Sequence, residues 1–375
     1  MRPADSMTRD PGDAARFPAA HRLIAEAVAA RAFPAAVVEV GGVDGARWRE
    51  AFGTLTWDAG APPARPDTIF DLASLTKIVA TTTMALQLVG QRRLDLDEPI
   101  RERLPLWRQG SAQAVTAADL LAHCSGLPAW RPLYQDHQGR PAFERAICGL
   151  PLEYEPRTQS LYSDPGFMLL GFLLEDAADL PLEEQFAELF PDADGSQPET
   201  ELRFLPPEAW RPRMAPTEVD PWRGRLLVGE VHDENAAALG GVGGHAGLFG
   251  TAAAVGRFAR TVLRALHGFV EPGPFAQAEI LARFVRKSEV PGSSRALGWD
   301  TMLTTSSCGH RMSRRAIGHT GFTGTSLWID PFWGVYIVLL TNRVHPSRTN
   351  EAIRTVRPAV HDAIMEQVQQ EELVD

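Results

Sequence analysis

The chain has 375 residues, 44% hydrophobic and 22% charged, enough to bury a large core as one big domain or two interleaved ones. Its formal net charge of −10, with no Lys/Arg run, speaks against a nucleic-acid partner. No apolar run approaches the roughly eighteen residues of a membrane span, and Met1-Arg2-Pro3-Ala4-Asp5-Ser6 carries no apolar signal core.

In chain order, residues 1–16 read as a loose leader rich in Pro, Asp and Arg. Phe17, Leu23, Ile24, Ala27 and Val28 then recur at helical spacing over 17–31. Two short runs, 36–40 and 47–52, flank Gly41-Gly42-Val43-Asp44-Gly45 and predict a hairpin. An apolar-periodic helix is expected over 74–88. The middle, about 100–285, reads as helical and loop-rich, punctuated by prolines, with a helix from Pro165 to Asp176. The period turns to strand at 316–320, 323–330 and 335–342. A last helix follows over 350–369, with Ile353, Val356, Val360, Ile364 and Val368 near one face. The expected fold class is α+β: an antiparallel sheet with strands from both chain ends, flanked by the terminal helices. A mostly helical subdomain is inserted in a single catalytic domain over 17–375.

Lysine is scarce. Of 37 basic residues only Lys77 and Lys287 are lysines, so Lys77 stands where arginine, which does not lose its proton, would fail. Ser74 lies three residues before it, one helical turn away on the same face, as a nucleophile and its base would. Tyr162-Ser163-Asp164 precedes a helix, and His319-Thr320-Gly321 closes a strand before Phe322.

With Leu120-Leu121-Ala122-His123-Cys124-Ser125-Gly126-Leu127-Pro128, these motifs resemble the serine β-lactamase and penicillin-binding-protein superfamily. The resemblance is to the branch of class C β-lactamases, D-aminopeptidases and esterases, and runs from about residue 20 to 368. That family carries Ser-x-x-Lys, Tyr-x-Asn and Lys-Thr-Gly in this order. Segments 231–236 and 243–249 match it too. The resemblance implies an acyl-enzyme on Ser74, with Lys77 taking the serine proton and Tyr162 shuttling it or itself acting as base. It implies an oxyanion hole from the N–H groups of Ser74 and Phe322, with Asp164, His319, Thr320 and Gly321 contacting substrate. A side chain at Gly321 would then crowd the acyl group.

Two positions depart from the pattern. Asp164 stands where an amide is usual, and its charge would raise the pKa of Lys77 and leave Tyr162 more of the proton work. His319 replaces a lysine and is mostly neutral at pH 7. A neutral His beside an anionic Asp should hold an anionic β-lactam or peptide carboxylate poorly, which favours small esters or neutral amides.

Other signals read blandly. Gly241-Val242-Gly243-Gly244-His245-Ala246 mimics a dinucleotide loop but follows no strand-like run. His232, Asp233, Glu234 and His245 match no metal-ligand spacing and read as a loop brace, so no metal and no cofactor is expected. Cys124, Cys148 and Cys308 read as reduced thiols, Cys124 in the core rather than as a nucleophile. Trp130 is placed at a pocket rim. The leading expectation is a cytoplasmic serine hydrolase of small esters or amides, with a small-molecule substrate and no nucleic-acid or membrane partner. Alternatives are a D-amino-acid peptidase or β-lactamase, and a slowly acylating sensor protein.

Overall fold

The computed structural model describes residues 16–107, 114–191 and 200–372. The expected leader therefore lies outside the described residues, apart from Arg16, which pairs with Glu371 at 3.1 Å. Helix α1 (Pro18–Ala29) leads into β1 (Ala35–Gly42), β2 (Gly45–Gly53) and β3 (Phe70–Asp71). A π-helical turn, Lys77–Thr82, continues as α2 (Thr83–Gly90). The middle holds α3 (Ala117–Leu121), α4 (Arg140–Cys148), α5 (Asp164–Ala178), α6 (Leu182–Leu189) and β4 (Leu202–Phe204). It continues through β5 (Val219–Asp220), β6 (Arg225–Leu226), α7 (Glu234–Ala238), β7 (Leu248–Gly250), α8 (Ala252–Leu266) and α9 (Ala278–Val285). Strands β8 (Asp300–Thr301), β9 (Ile317–Thr320), β10 (Ser326–Asp330) and β11 (Val335–Thr341) precede α10 (Ile353–Glu372).

Six strands form one antiparallel sheet in the order β2-β1-β11-β10-β9-β8. Its centre joins the two chain ends, with Ala36 opposite Thr341 and Val40 opposite Ile337. Side chains alternate across it, as period 2 requires. Val37, Leu327, Ile329, Val338 and Leu340 pack into the main core with α2, α5 and α8. Val38, Val40, Trp328, Ile337 and Leu339 pack on the other face against α1 and α10. Both faces are covered, so the central strands read as unbroken apolar runs.

Several boundaries moved for visible reasons. The hairpin turn is tighter than expected, because Gly41, Gly42 and Gly45 pair within the strands; a Cβ on Gly41 would strike the Tyr336 ring. β10 begins at Ser326 rather than 323, because the Thr323 and Thr325 hydroxyls donate to Asp71 O (2.8 Å) and Leu72 O (3.0 Å). The last helix starts at 353 rather than 350, since the carbonyls of Arg348 and Asn350 are held by Arg343 Nη1. Asp164, not Pro165, is the first residue of α5, capped by Ser163 Oγ, which accepts from Gly166 N–H at 3.1 Å. A small sheet, β3-β7-β4, was not expected at all.

The buried stripe of α10 includes the ionisable side chain His361. Burial first, and the Arg357 charge second, push its pKa down to about 3. His123 and His319 shift in the same direction, again chiefly by burial. An unfolded histidine takes a proton below its ordinary value near 6.5, while the folded one refuses it, so stability is lost as pH falls from about 6.5 towards 3. Melting temperature should therefore drop from neutral to acid pH, and His361→Leu should flatten that drop. Calorimetry across pH checks it; an unchanged slope in the variant counts against it.

Candidate active site

The strand β3 ends in a turn that is tied from several sides. Asp71 accepts hydrogen bonds from Ala73 N–H (2.8 Å) and His232 N–H (2.6 Å). Ala73 is held at φ +47°, a left-handed conformation that costs a non-glycine residue about 1–3 kcal/mol and survives only where its surroundings enforce it. Leu72 N–H donates to Leu248 O at 2.9 Å, and Thr76 Oγ1 donates to Ala73 O at 2.6 Å. Ser74 emerges at the head of the helical segment, where Lys77 N–H reaches Ser74 O at 3.1 Å. The two side chains therefore share one face.

Two groups meet at Ser74 Oγ. Tyr162 donates its phenol proton to it at 2.7 Å, and Lys77 Nζ lies 3.2 Å away. Lys77 is fully buried and donates also to Asp164 Oδ1 (2.7 Å) and the His245 carbonyl (3.0 Å). Its ammonium sits 4.8 Å from the centre of the Tyr162 ring. Burial alone would lower the Lys77 pKa, but the Asp164 charge, with Tyr162, outweighs it and holds the pKa above the ordinary lysine value. Burial, with Asp164 next, pushes the Tyr162 phenol up to about 12, against the pull of Lys77 and Ser74. At neutral pH both groups keep their protons. Such a triangle can move a proton off Oγ and hand it to a leaving group once either partner gives one up.

The end of β9 forms the opposite wall. His319 Nδ1 lies 2.8 Å from Thr320 O, and a carbonyl only accepts, so Nδ1 carries the proton and Nε2 is a bare acceptor. Burial, then the charges of Arg295 and Lys77, hold His319 neutral, as expected from its type. Gly321 proves necessary for a different reason than crowding of an acyl group. A Cβ there would strike Thr325 Oγ1 and Leu72 O, pushing β9 off the serine turn. Phe322 follows, half exposed, stacked on His232 at 5.6 Å and with the Arg343 guanidinium 4.5 Å from its ring centre.

Ser74, Tyr162, Asp164, His319, Thr320, Gly321 and Phe322 line one cavity of about 540 Å³, with Trp130 at its edge. Lys77 lies behind Ser74. The cavity is also lined by Arg295, Arg343, Arg348, Arg354 and Arg357, which the sequence reading left out. Its charge balance is thus not that of a lone Asp164 beside a neutral His319. Arg348 pairs with Glu218 and Glu234, and Arg354 with Glu351. Arg357 is buried, donates to Thr325 O at 3.2 Å, and has no carboxylate partner among the described residues. Burial, then Arg343, lowers its pKa to about 10.

A family model described as Beta-lactamase matches residues 20–361. The chain belongs to the β-lactamase family. It is a serine hydrolase of that family. A Salmonella gallinarum protein described as "Putative D-alanyl-D-alanine carboxypeptidase" is 30% identical over 319 residues, 77% of this chain and 73% of its own length. Among solved structures, the LovD6 mutant of simvastatin synthase from Aspergillus terreus aligns with a TM-score of 0.72 at 21% identity, covering 97% of this chain and all of that one. EstCE1, "a hydrolase with promiscuous acyltransferase activity", aligns at 0.69 and 19% identity, covering 92% and 98%. These likenesses show a shared β-lactamase-type fold. No helix among the described residues is long and apolar enough to cross a membrane.

Within this family frame, His123 adds a support that its motif only hinted at. Its Nδ1 accepts Ser163 N–H at 3.0 Å, and its ring lies 4.7 Å from that of Tyr162. The imidazole, kept neutral by burial and by Arg295, Lys77 and His319, thus fixes the turn that presents the tyrosine. Cys124 beside it is buried, its thiol pushed up to about 12 by burial and by Asp119, which leaves it inert as a nucleophile.

Proposed function

We propose that Ser74 is the nucleophile of an acyl-enzyme mechanism on small esters or neutral amides. The observation that carries this is the contact of Ser74 Oγ with both Tyr162 Oη (2.7 Å) and Lys77 Nζ (3.2 Å) at the cavity wall. In the fraction of enzyme in which one member of the Tyr162–Lys77 pair has given up its proton, Oγ attacks the carbonyl and its proton passes to that vacated site, which returns it to the departing alkoxide or amine. Tyr162 Oη is the nearer of the two to Oγ. Where Tyr162 is the ionised member, the Lys77 ammonium stabilises its phenolate until the proton arrives; where Lys77 is the neutral member, its lone pair takes the proton. The backbone N–H groups of Ser74 and Phe322 face the developing oxyanion. Water then attacks the acyl-serine with the same pair as base.

Preference for a neutral substrate is supported by His319, which burial keeps uncharged, so it supplies no cation for a carboxylate. Asp164 adds to this by offering no donor. We read the chain as one catalytic domain, assigned from the sequence to 17–375 with a helical part about 100–285 inserted, working in the cytoplasm.

A second reading, a D-amino-acid peptidase, is favoured by Arg357: a buried guanidinium without a carboxylate partner suits the C-terminal carboxylate of a peptide. The test is steady-state turnover of p-nitrophenyl acetate and butyrate beside nitrocefin and a D-Ala-D-Ala peptide. Multiple ester turnovers with nitrocefin barely touched are expected. Nitrocefin turnover matching the esters would overturn the ester reading, and an unreleased adduct would point to the sensor. Should the peptide be cleaved, Arg357→Met is expected to raise its KM about 10-fold or more while sparing p-nitrophenyl acetate.

A further inference from the structure

The loop brace around Asp233 and His245 reaches the reacting groups. His245 is buried, and its carbonyl accepts from Lys77 Nζ at 3.0 Å. Its ring Nε2 lies 2.8 Å from Asp233 Oδ1, which also accepts Ala236 N–H at 2.8 Å. A carboxylate only accepts, so Nε2 carries the proton. Asp233 is itself tethered, since the neighbouring His232 N–H is held by Asp71, two residues before Ala73. More bonds sew the His245 stretch to the serine segment. Thr81 Oγ1 donates to Gly244 O at 2.6 Å, and Leu248 N–H donates to Thr76 Oγ1 at 3.1 Å. Gly244 lies so close to α5 that a Cβ would run into Phe167 O. The path from Asp71 through Asp233 and His245 to Lys77 closes a ring of hydrogen bonds around the serine turn.

The geometry of an amine gives that ring a purpose. Beyond Cε, Nζ has three tetrahedral directions. Asp164 Oδ1 and His245 O take two, and both bind an N–H whether the lysine is charged or neutral. The third faces Ser74 Oγ, where the lone pair must lie for the neutral amine to accept a proton.

We propose that Asp233 and His245 are positioning residues: their ring–carboxylate hydrogen bond clamps the His245 carbonyl against Lys77 and so aims the amine at Ser74 Oγ. This rests on the reading of Lys77 as part of the proton-accepting pair. The Asp233 charge has a second effect. The groups facing Lys77 are Asp164 at the start of α5, Tyr162 just before that helix, Asp233 ahead of α7, His123 after α3 and His319 on β9. Asp164 and Asp233 are the carboxylates among them, and each favours the ammonium form.

The test compares His245→Ala, His245→Gln, Asp233→Asn and Lys77→Arg on p-nitrophenyl butyrate across pH, with thermal melting of each. His245→Ala is expected to lose about 10–100-fold in kcat, the effect of misaiming a reacting group, with KM nearly unchanged. His245→Gln should recover most of the loss, because a glutamine Nε2 can still donate to Asp233. Asp233→Asn keeps an acceptor oxygen but removes an anion, so the acid limb of the rate profile should move to lower pH. Wild-type kcat in His245→Ala overturns the proposal. So does a glutamine variant no better than alanine, or an unmoved acid limb in Asp233→Asn. If His245→Ala does not fold, the glutamine and asparagine variants decide alone. Full activity in Lys77→Arg would sink the role of Lys77 itself and the clamp with it, whereas an inert Lys77→Arg beside a fully active His245→Ala would sink the clamp only.

Discussion

Ser74→Ala is expected to lower kcat/KM for p-nitrophenyl butyrate by about 10³-fold or more, with the fold intact. The hydroxyl is the only atom removed, yet it is where Tyr162 and Lys77 converge. Its loss takes away the Ser74 acceptor of the half-buried Tyr162 phenol, at a cost of at most about 1–3 kcal/mol because the phenol lines the cavity, which a domain of this size should survive. Lys77→Arg should be equally inert for a separate reason. A guanidinium keeps its proton, and the fully buried site was shaped around a compact ammonium with three acceptors. Turnover and melting curves for the two variants make the check. Residual esterase above a tenth of wild type in a folded Ser74→Ala protein would place the nucleophile elsewhere.

Asp164→Asn is expected to move the acid limb of kcat/KM to lower pH by about 1–3 units. The carboxylate raises the pKa of both Lys77 and Tyr162, so removing its charge lowers both. Either group then gives up its proton nearer neutrality, and more enzyme is armed at pH 7. The new amide also supplies a donor the wild type lacks, so nitrocefin hydrolysis should rise relative to ester hydrolysis. Stability will suffer in the same variant. Removing one partner of a buried ion pair costs up to about 3–5 kcal/mol, and less here because Lys77 can shed its proton. A pH–rate profile and a melting curve read the two effects separately. A limb that stays put, or rises, would refute the electrostatic account of Asp164.

The parts of the site written as short contiguous motifs were legible in the sequence, since Ser74-x-x-Lys77, Tyr162-x-Asp164 and His319-Thr320-Gly321 each keep their geometry within one local turn. The strands β9 to β11 and the hairpin were legible from period and turn residues. The strands β3, β4 and β7 were not, because two or three residues carry no periodic signal. Their pairing nonetheless sets Asp71 and hence the serine turn. The arginines of the cavity were missed for another reason. Arg357 stands at four residues from Ile353 and three from Val360, inside the apolar stripe of α10. A charge in that stripe was the available sign of a buried guanidinium, overlooked because the stripe was counted by its aliphatic members alone.

The pairing of β1 with β11 also governs how the molecule comes into being. At about 5–20 residues per second, a ribosome takes roughly fifteen to sixty seconds to pass from the end of β1 to the start of β11. Throughout that interval the hairpin β1–β2 shows an apolar, unpaired edge to the nascent chain's surroundings. Ser74 and Lys77 are made early, but β9 and α10, which complete their cavity, come last. Contacts this distant in sequence make for slow folding, so refolding yield should depend on protein concentration and on chaperones that shield the waiting edge.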